Sequence, residues 1–432
     1  MKISSSLLWC SVAASFLGAL VGPRFGSIAW YPLRVITLAA LPVLIAAPKP
    51  RQGTARIARR FFLSMMAYGF LSLFWSPDPG LGLRSAGLIF QGVMLVLLVT
   101  SFAKDRRAFS QIRIIWSLAI ICTSVLGYYE VYRGQYLFDV DEDVNIYAIE
   151  RVTNQLGWLC PRVFSANWNN TAFTNALSAL VLMGWALESA GRRRFLATGG
   201  ALLAGSLVFL SYSRAAVFGL LLGVAVFVLC RLAFVRNVRR TGTEIGLMAG
   251  VLGLLLLPAV MGIMSWESVW AALTLKTETA DDSIRTYYYS QGVEAAVGSA
   301  GFGKGLGAST EVIEGGSYHH FGVEILAELG AWVFLGHCLI LAAICSRLLA
   351  AIKAGREPFW SSGLLASCMA LPLLLFGPSS VIGEGVYWLW IGFLVSFAEQ
   401  LAVPGRERVL LPGLRELRDA RPNHPVGAFR SA

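Results

Sequence analysis

Along this chain apolar residues come in runs of about 17–22, separated by short polar bridges. A bilayer core takes about 20 such residues per helix. Inside lipid every backbone polar group needs an internal partner, so runs of this length should be helical. They place about twelve spans, at roughly 6–22, 27–47, 61–75, 86–103, 112–129, 171–189, 196–212, 215–234, 244–264, 321–345, 359–377 and 386–402. The expected fold class is therefore all-α: a polytopic integral membrane protein with a single transmembrane domain over 1–403 and a basic tail over 404–432. Two long polar intervals interrupt the pattern, at about 130–170 and 265–320, the second between spans nine and ten. The first run has only Lys2 as a basic start and no small-x-small cleavage site, so it reads as a span and not as a signal peptide. No internal repeat of the transporter kind stands out.

Composition agrees with the pattern. Hydrophobic residues make up 56% and charged residues 14%, against about a quarter charged in soluble chains. The net charge of +11 points toward nucleic acid until its distribution is followed. Basic residues gather in alternate bridges: Lys49 to Arg60, Lys104 to Arg113, Arg192 to Arg194, Arg231 to Arg240, Arg347 to Arg356, and the tail. The other bridges hold most of the acids, among them Asp139, Asp141, Glu142, Asp143, Glu267, Asp281 and Asp282. By the positive-inside rule both termini are cytoplasmic and the two long intervals face outward. No nucleic-acid partner is expected. Of seven cysteines only Cys160 falls in an outer interval, so no disulfide is expected there.

The candidate chemistry concentrates between Asp281 and Leu329. Arg285 stands in a cluster with Tyr287, Tyr288 and Tyr289, followed by a glycine-rich run from Gly301 to Gly307. That run lacks the spacing of a phosphate-binding P-loop; it reads as a flexible turn between two outer half-helices or as a support shaping a pocket. Arg214, in Ser-Tyr-Ser-Arg between spans seven and eight, either snorkels to lipid headgroups or joins an anion site. Arg84 and Arg162 add further outer arginines. The planar guanidinium donates paired hydrogen bonds and stays charged, which suits pyrophosphate. His319 and His320 precede Glu324 and Glu328, and His320, Glu324 and Glu328 recur every four residues on one helical stripe. A histidine held by a carboxylate is a usual general base; the same spacing also fits a structural contact at a helix end. No third histidine lies nearby, so neither metal nor cofactor is expected. His337 reads as a packing residue, and Asn169-Asn170-Thr171 as a glycosylation sequon close to a span.

Four stretches carry a resemblance: WSPDPGLGLRS, RVFSANWNNTAFTNAL, SYSRAAVFGLLLG, and IRTYYYSQGVEAAVGSAGFGKGLG followed by HHFGVEILAELGAW. In order and spacing they resemble the O-antigen ligase/polymerase family of bacterial envelope glycosyltransferases, over about residues 60–400. His320 stands where that family has asparagine and Val323 where leucine is common; His319 takes the place of the catalytic histidine. The resemblance implies an inner-membrane, metal-independent enzyme that takes a glycan from an undecaprenyl-diphosphate carrier at the periplasmic face. Arg214 and Arg285 would grip the pyrophosphate, and His319 would activate the acceptor hydroxyl. Glu324 would orient a histidine; Arg84, Arg162, Tyr287, Tyr288 and His320 would contact substrate. The acceptor is either another lipid-linked repeat, making a polymerase for exopolysaccharide or O-antigen, or a lipid A core, making a ligase. Other polysaccharide assembly proteins are further expected partners. The rival from another class is a transporter or flippase of lipid-linked oligosaccharide, which calls for discontinuous helices.

Overall fold

Among the described residues the apolar runs fold as helices. The computed structural model describes residues 2–17, 24–25, 28–29, 31–47, 53–137, 158–165, 167–234, 280–309, 318, 320–378 and 380–402. Thirteen α-helices stand among them: α1 (Lys2–Ala14), α2 (Pro32–Ala46), α3 (Gly53–Leu71), α4 (Pro79–Phe102), α5 (Arg106–Arg133), α6 (Trp168–Glu188), α7 (Gly191–Leu210), α8 (Arg214–Phe234), α9 (Ala280–Gly298), α10 (Phe321–Leu329), α11 (Ala331–Lys353), α12 (Pro358–Leu374) and α13 (Gly385–Leu401). A two-residue antiparallel ladder pairs Arg24–Phe25 with Ile28–Ala29. Among the described residues six helices are long and apolar enough to cross a membrane: Gly53–Phe74, α4, α5, α7, α8 and α11. Shorter apolar helices run over Ser5–Ala14, Pro32–Ala46 and Pro358–Leu374. Together they suggest a polytopic membrane protein. The expected ninth span at 244–264 and the tail 404–432 lie outside the described residues.

Exposure supports the same conclusion. On a water-facing helix the apolar stripe turns inward. Here exposed apolar residues recur at helical spacing on the outer helices: Leu335 and Leu339 on α11, Phe218 and Leu222 on α8, Leu229 and Leu232 on α8. The interior helices are α4, α6, α12 and α13, buried along most of their length. α6 packs against α7 and α12, α12 against α8, and α13 against α4. Glycine permits the closest crossings. A methyl group on Gly363 of α12 would come within 2.8 Å of Gly184 Cα on α6, and one on Gly92 of α4 would strike the Trp388 indole of α13.

Contacts between connections divide the helix ends into two sets. At one end Arg106 pairs with Glu357 at 3.4 Å, Glu188 accepts from the Trp360 N–H, Glu399 accepts from the Ala55 N–H, and Arg356 reaches the Leu401 carbonyl. These are the bridges that carry the basic residues. The opposite end gathers residues 72–82, 158–165, 167–170, 211–215, 280–309, 320–330, 375–378 and 380–385, and it holds most of the described candidate residues.

One boundary differs from the sequence pattern. The expected span at 321–345 is broken at Gly330, whose φ of 85° and ψ of 174° no helix contains. The nine-residue α10 therefore stands apart from the spanning α11. The glycine run closes the break. Lys304 N–H donates to the Ala327 carbonyl (2.8 Å), Gly305 N–H to the Glu328 carbonyl (3.0 Å), and Ala331 N–H to the Gly301 carbonyl (2.8 Å). Gly301, Gly303, Gly305 and Gly307 all have positive φ, and a Cβ on Gly303 would lie 2.4 Å from the Glu328 carbonyl oxygen. The run is a packed strap in the left-handed region, not a flexible turn. Its other side rests on the connection between α3 and α4, where Ser76 Oγ donates to the Leu306 carbonyl (2.6 Å) and Trp75 Nε1 to the Gly303 carbonyl (3.2 Å).

Candidate functional site

The connection between α12 and α13, Leu375 to Glu384, is where the sequence-predicted groups meet. Phe376 is its first landmark. Its carbonyl accepts from Arg285 of α9 at 3.5 Å, and its ring packs edge-on against His320 (4.4 Å between centroids) and Tyr289 (5.7 Å). Tyr289 in turn meets His320 at 5.8 Å. Gly377 follows, so close to the α7–α8 hairpin that a methyl group on it would come within 3.0 Å of Ser213 Oγ and 3.5 Å of Ala215 Cβ. Ser213 and Ala215 bracket Arg214, the first residue of α8. The hairpin turns through Tyr212 at φ 51°. Thus Arg285 and the hairpin that carries Arg214, seventy-one positions apart in the chain, approach consecutive residues of one turn.

His320 is fixed by its own helix. It is the N-cap of α10, with Nδ1 accepting from the Val323 N–H at 3.2 Å. This bond requires an unprotonated Nδ1, and burial lowers the imidazole pKa below its ordinary value. Its neighbour His319 lies outside the described residues. The stripe of His320, Glu324 and Glu328 exists on α10, where the Glu324 N–H donates to the His320 carbonyl at 2.9 Å, but the three side chains are hydrogen-bonded elsewhere. Glu324 Oε1 accepts from Ser380 Oγ at 3.0 Å, and Glu328 Oε1 accepts from the Ser309 N–H at 3.2 Å, anchoring the far end of the glycine strap.

The remaining predicted residues are placed around this centre. Tyr287 is 55% exposed and Tyr288 half-buried, their rings 6.1 Å apart on α9. Arg84 is exposed on the second turn of α4, two residues beyond Gly82, which abuts the glycine strap. Arg162 is only 1% exposed, with its guanidinium over the Tyr136 ring at 4.1 Å. Its backbone is held by Glu130, a carboxylate with no exposed surface at the end of α5. Glu130 Oε2 accepts from the Arg162 and Val163 N–H groups (2.8 and 2.9 Å), and Oε1 accepts from Leu137 N–H (3.1 Å). This grip sustains Val163 at φ 51°, a conformation that costs a β-branched residue of order 1–3 kcal/mol. Close by, burial pushes the Cys160 thiol up to about 12.

Three participants escaped the sequence pattern. Asn170 in the first turn of α6 donates from Nδ2 to Glu384 Oε1 (2.7 Å) and to the Ser380 carbonyl (3.5 Å). Glu384 caps the start of α13 in position, and burial pushes its carboxyl up to about 7 against the opposing bond from Asn170. Ser380 joins this pair to Glu324. The signal available was a lone acid at the margin of an apolar run, preceded by the Gly-Pro-Ser-Ser connection. Among the described residues no group of three or more His, Cys, Asp and Glu is arranged to hold a metal.

Compared with known proteins, the chain is similar to the teichuronic acid biosynthesis protein TuaE of Bacillus subtilis (strain 168). The two are 20% identical over 354 residues, covering 78% of this chain and 70% of TuaE. No family profile matches the chain, and no solved structure does.

Proposed function

We propose that this chain works in cell-envelope polysaccharide biosynthesis as an inner-membrane glycosyltransferase with both termini cytoplasmic. In this reading it moves a glycan from an undecaprenyl-diphosphate carrier to an acceptor sugar hydroxyl at the periplasmic face, as a repeat-unit polymerase. The distant likeness to TuaE supports the polysaccharide role. The observation that supports the reaction is the approach of Arg285 to Phe376 and of the Arg214 hairpin to the adjoining Gly377, beside His320.

The chemistry follows from the groups. The acceptor oxygen attacks the anomeric carbon, the bond from that carbon to the diphosphate oxygen breaks, and the configuration inverts. Negative charge grows on the departing undecaprenyl diphosphate, where Arg214 and Arg285 stabilise it; preorganised cations act strongly in a poorly hydrated site. The acceptor proton passes to His319, since the Nδ1 of His320 already serves the cap of α10. A general base of this kind contributes roughly 10²–10⁴-fold.

The test supplies purified protein with lipid-linked oligosaccharide and separates the products. Longer glycans on the carrier are expected; transfer to lipid A core instead identifies a ligase. Alanine at Arg214, Arg285 or His319 should each abolish polymer while the protein still inserts, and full polymer from all three would refute the site. The break at Gly330 is the one observation favouring a transporter or flippase, since broken helices line transport sites. Transbilayer movement without glycan transfer would establish that reading.

A further inference from the structure

The α12–α13 connection has a second polar side. Asn170, Ser380, Glu324 and Glu384 form a chain of hydrogen bonds running from α6 through the connection to α10 and the start of α13. This chain is rich in acceptors. Asn170 is 9% exposed, and its amide is oriented by Glu384, which draws Nδ2 and turns Oδ1 away. Among the described residues neither Asn170 Oδ1 nor Glu324 Oε2 has a hydrogen-bond partner, although both atoms are buried. A buried acceptor left without a donor costs of order 1–3 kcal/mol, so two in one hydrogen-bonded cluster are open to donors from a ligand.

The surroundings say which donors fit. Glu324, Ser380 and Glu384 are each partly exposed, so the cluster opens to one side. Phe376, 39% exposed, stands four residues from Ser380 with Tyr289 and His320 edge-on to its ring. An apolar aromatic face beside a few convergent acceptors matches a sugar ring, which presents C–H groups on one face and O–H donors around its edge. A hydroxyl donates one hydrogen bond and accepts others, so it can satisfy Asn170 or a carboxylate directly.

We propose that Asn170, Glu324 and Glu384 form the subsite for the acceptor sugar, holding its hydroxyls by accepting hydrogen bonds, with Phe376 as the aromatic floor between that subsite and the arginines. The proposal rests on the transferase reading and names the half of the site that the arginines do not supply. The same connection then carries both halves: diphosphate recognition at Phe376–Gly377 and acceptor recognition at Ser380–Glu384.

The test uses the full-length protein in nanodiscs. Two probes are titrated separately: undecaprenyl diphosphate alone, and the repeat-unit oligosaccharide released from the host's lipid-linked pool by mild acid. The variants are Asn170→Ala, Glu324→Gln and Glu384→Gln, the two glutamine variants keeping shape where the alanine variant fails to fold. Binding of the free oligosaccharide, and its KM as acceptor, should weaken by roughly three- to ten-fold in each variant, the worth of an ordinary hydrogen bond. Affinity for undecaprenyl diphosphate should stay within about two-fold. Weakened undecaprenyl diphosphate binding with unchanged oligosaccharide binding overturns the subsite. So does an unmoved acceptor KM with activity that follows sodium concentration, which would make the cluster an ion site. Oligosaccharide binding lost in the variants without transfer by the wild type would sink the transferase reading and leave the glycan subsite standing.

Discussion

At the scale of single residues, the site depends on side chains whose partners lie far off in sequence. Arg214, Arg285 and His320 were legible as candidates because a cation or an imidazole at the edge of an apolar run is costly and conspicuous. What joins them was not legible. Phe376 and Gly377 carry no charge and no motif; their role comes from a backbone carbonyl, an edge-on ring and a missing side chain, and only the fold reveals those. Glu384 gives the sharpest prediction at this scale. Its carboxyl is held near 7 in the folded protein against an ordinary 4.5, because burial disfavours the charge. The folded state therefore binds this proton more tightly than the unfolded state, and the group costs stability as pH rises from 4.5 through 7. Glu384→Gln removes that cost while still accepting from Asn170. Near pH 4.5 the variant should melt with the wild type, and it should melt progressively higher as pH approaches 7 and above. Parallel melting curves across this range would show that Glu384 is not buried in this way.

At the scale of elements, most helices follow from hydrophobic runs, and several starts follow from caps: Asp78, Asp105 and Asn167 each accept from an N–H two or three residues on. The exception is the break between α10 and α11. Phe321 to Lys353 is an almost unbroken apolar sequence, so pattern alone runs through Gly330. The break is set instead by the glycine strap, whose N–H groups take the carbonyls that a continuous helix would have used. This makes the glycines unequal. Gly330→Ala places a methyl group within 2.3 Å of the Gly301 carbonyl oxygen at a φ of 85°, and should cost of order 1–3 kcal/mol or more. Gly87→Ala, within α4 and with open space around it, should be neutral or stabilising by about 0.5–1 kcal/mol. Thermal melting in detergent compares the two, and equal effects would contradict the strap.

At the scale of the whole molecule, alternation of basic and acidic bridges already sorted the connections into two sets, and the contacts at the two ends of the bundle follow that sorting. Reporter fusions after Gly298 should report the periplasm and fusions after Lys353 the cytoplasm; the reverse pattern would invert the site. The carboxylate of Glu130 has a consequence at this scale. It accepts from the N–H groups of Leu137, Arg162 and Val163, so backbone groups twenty-five positions apart in the chain are held on one carboxylate. For a loop whose ends are pinned, each doubling of length adds only about 0.6 kcal/mol of closure entropy. Insertions between Leu137 and Trp158 should therefore cost little and leave the Arg162 backbone and the start of α6 in place, which thermal melting of lengthened variants checks.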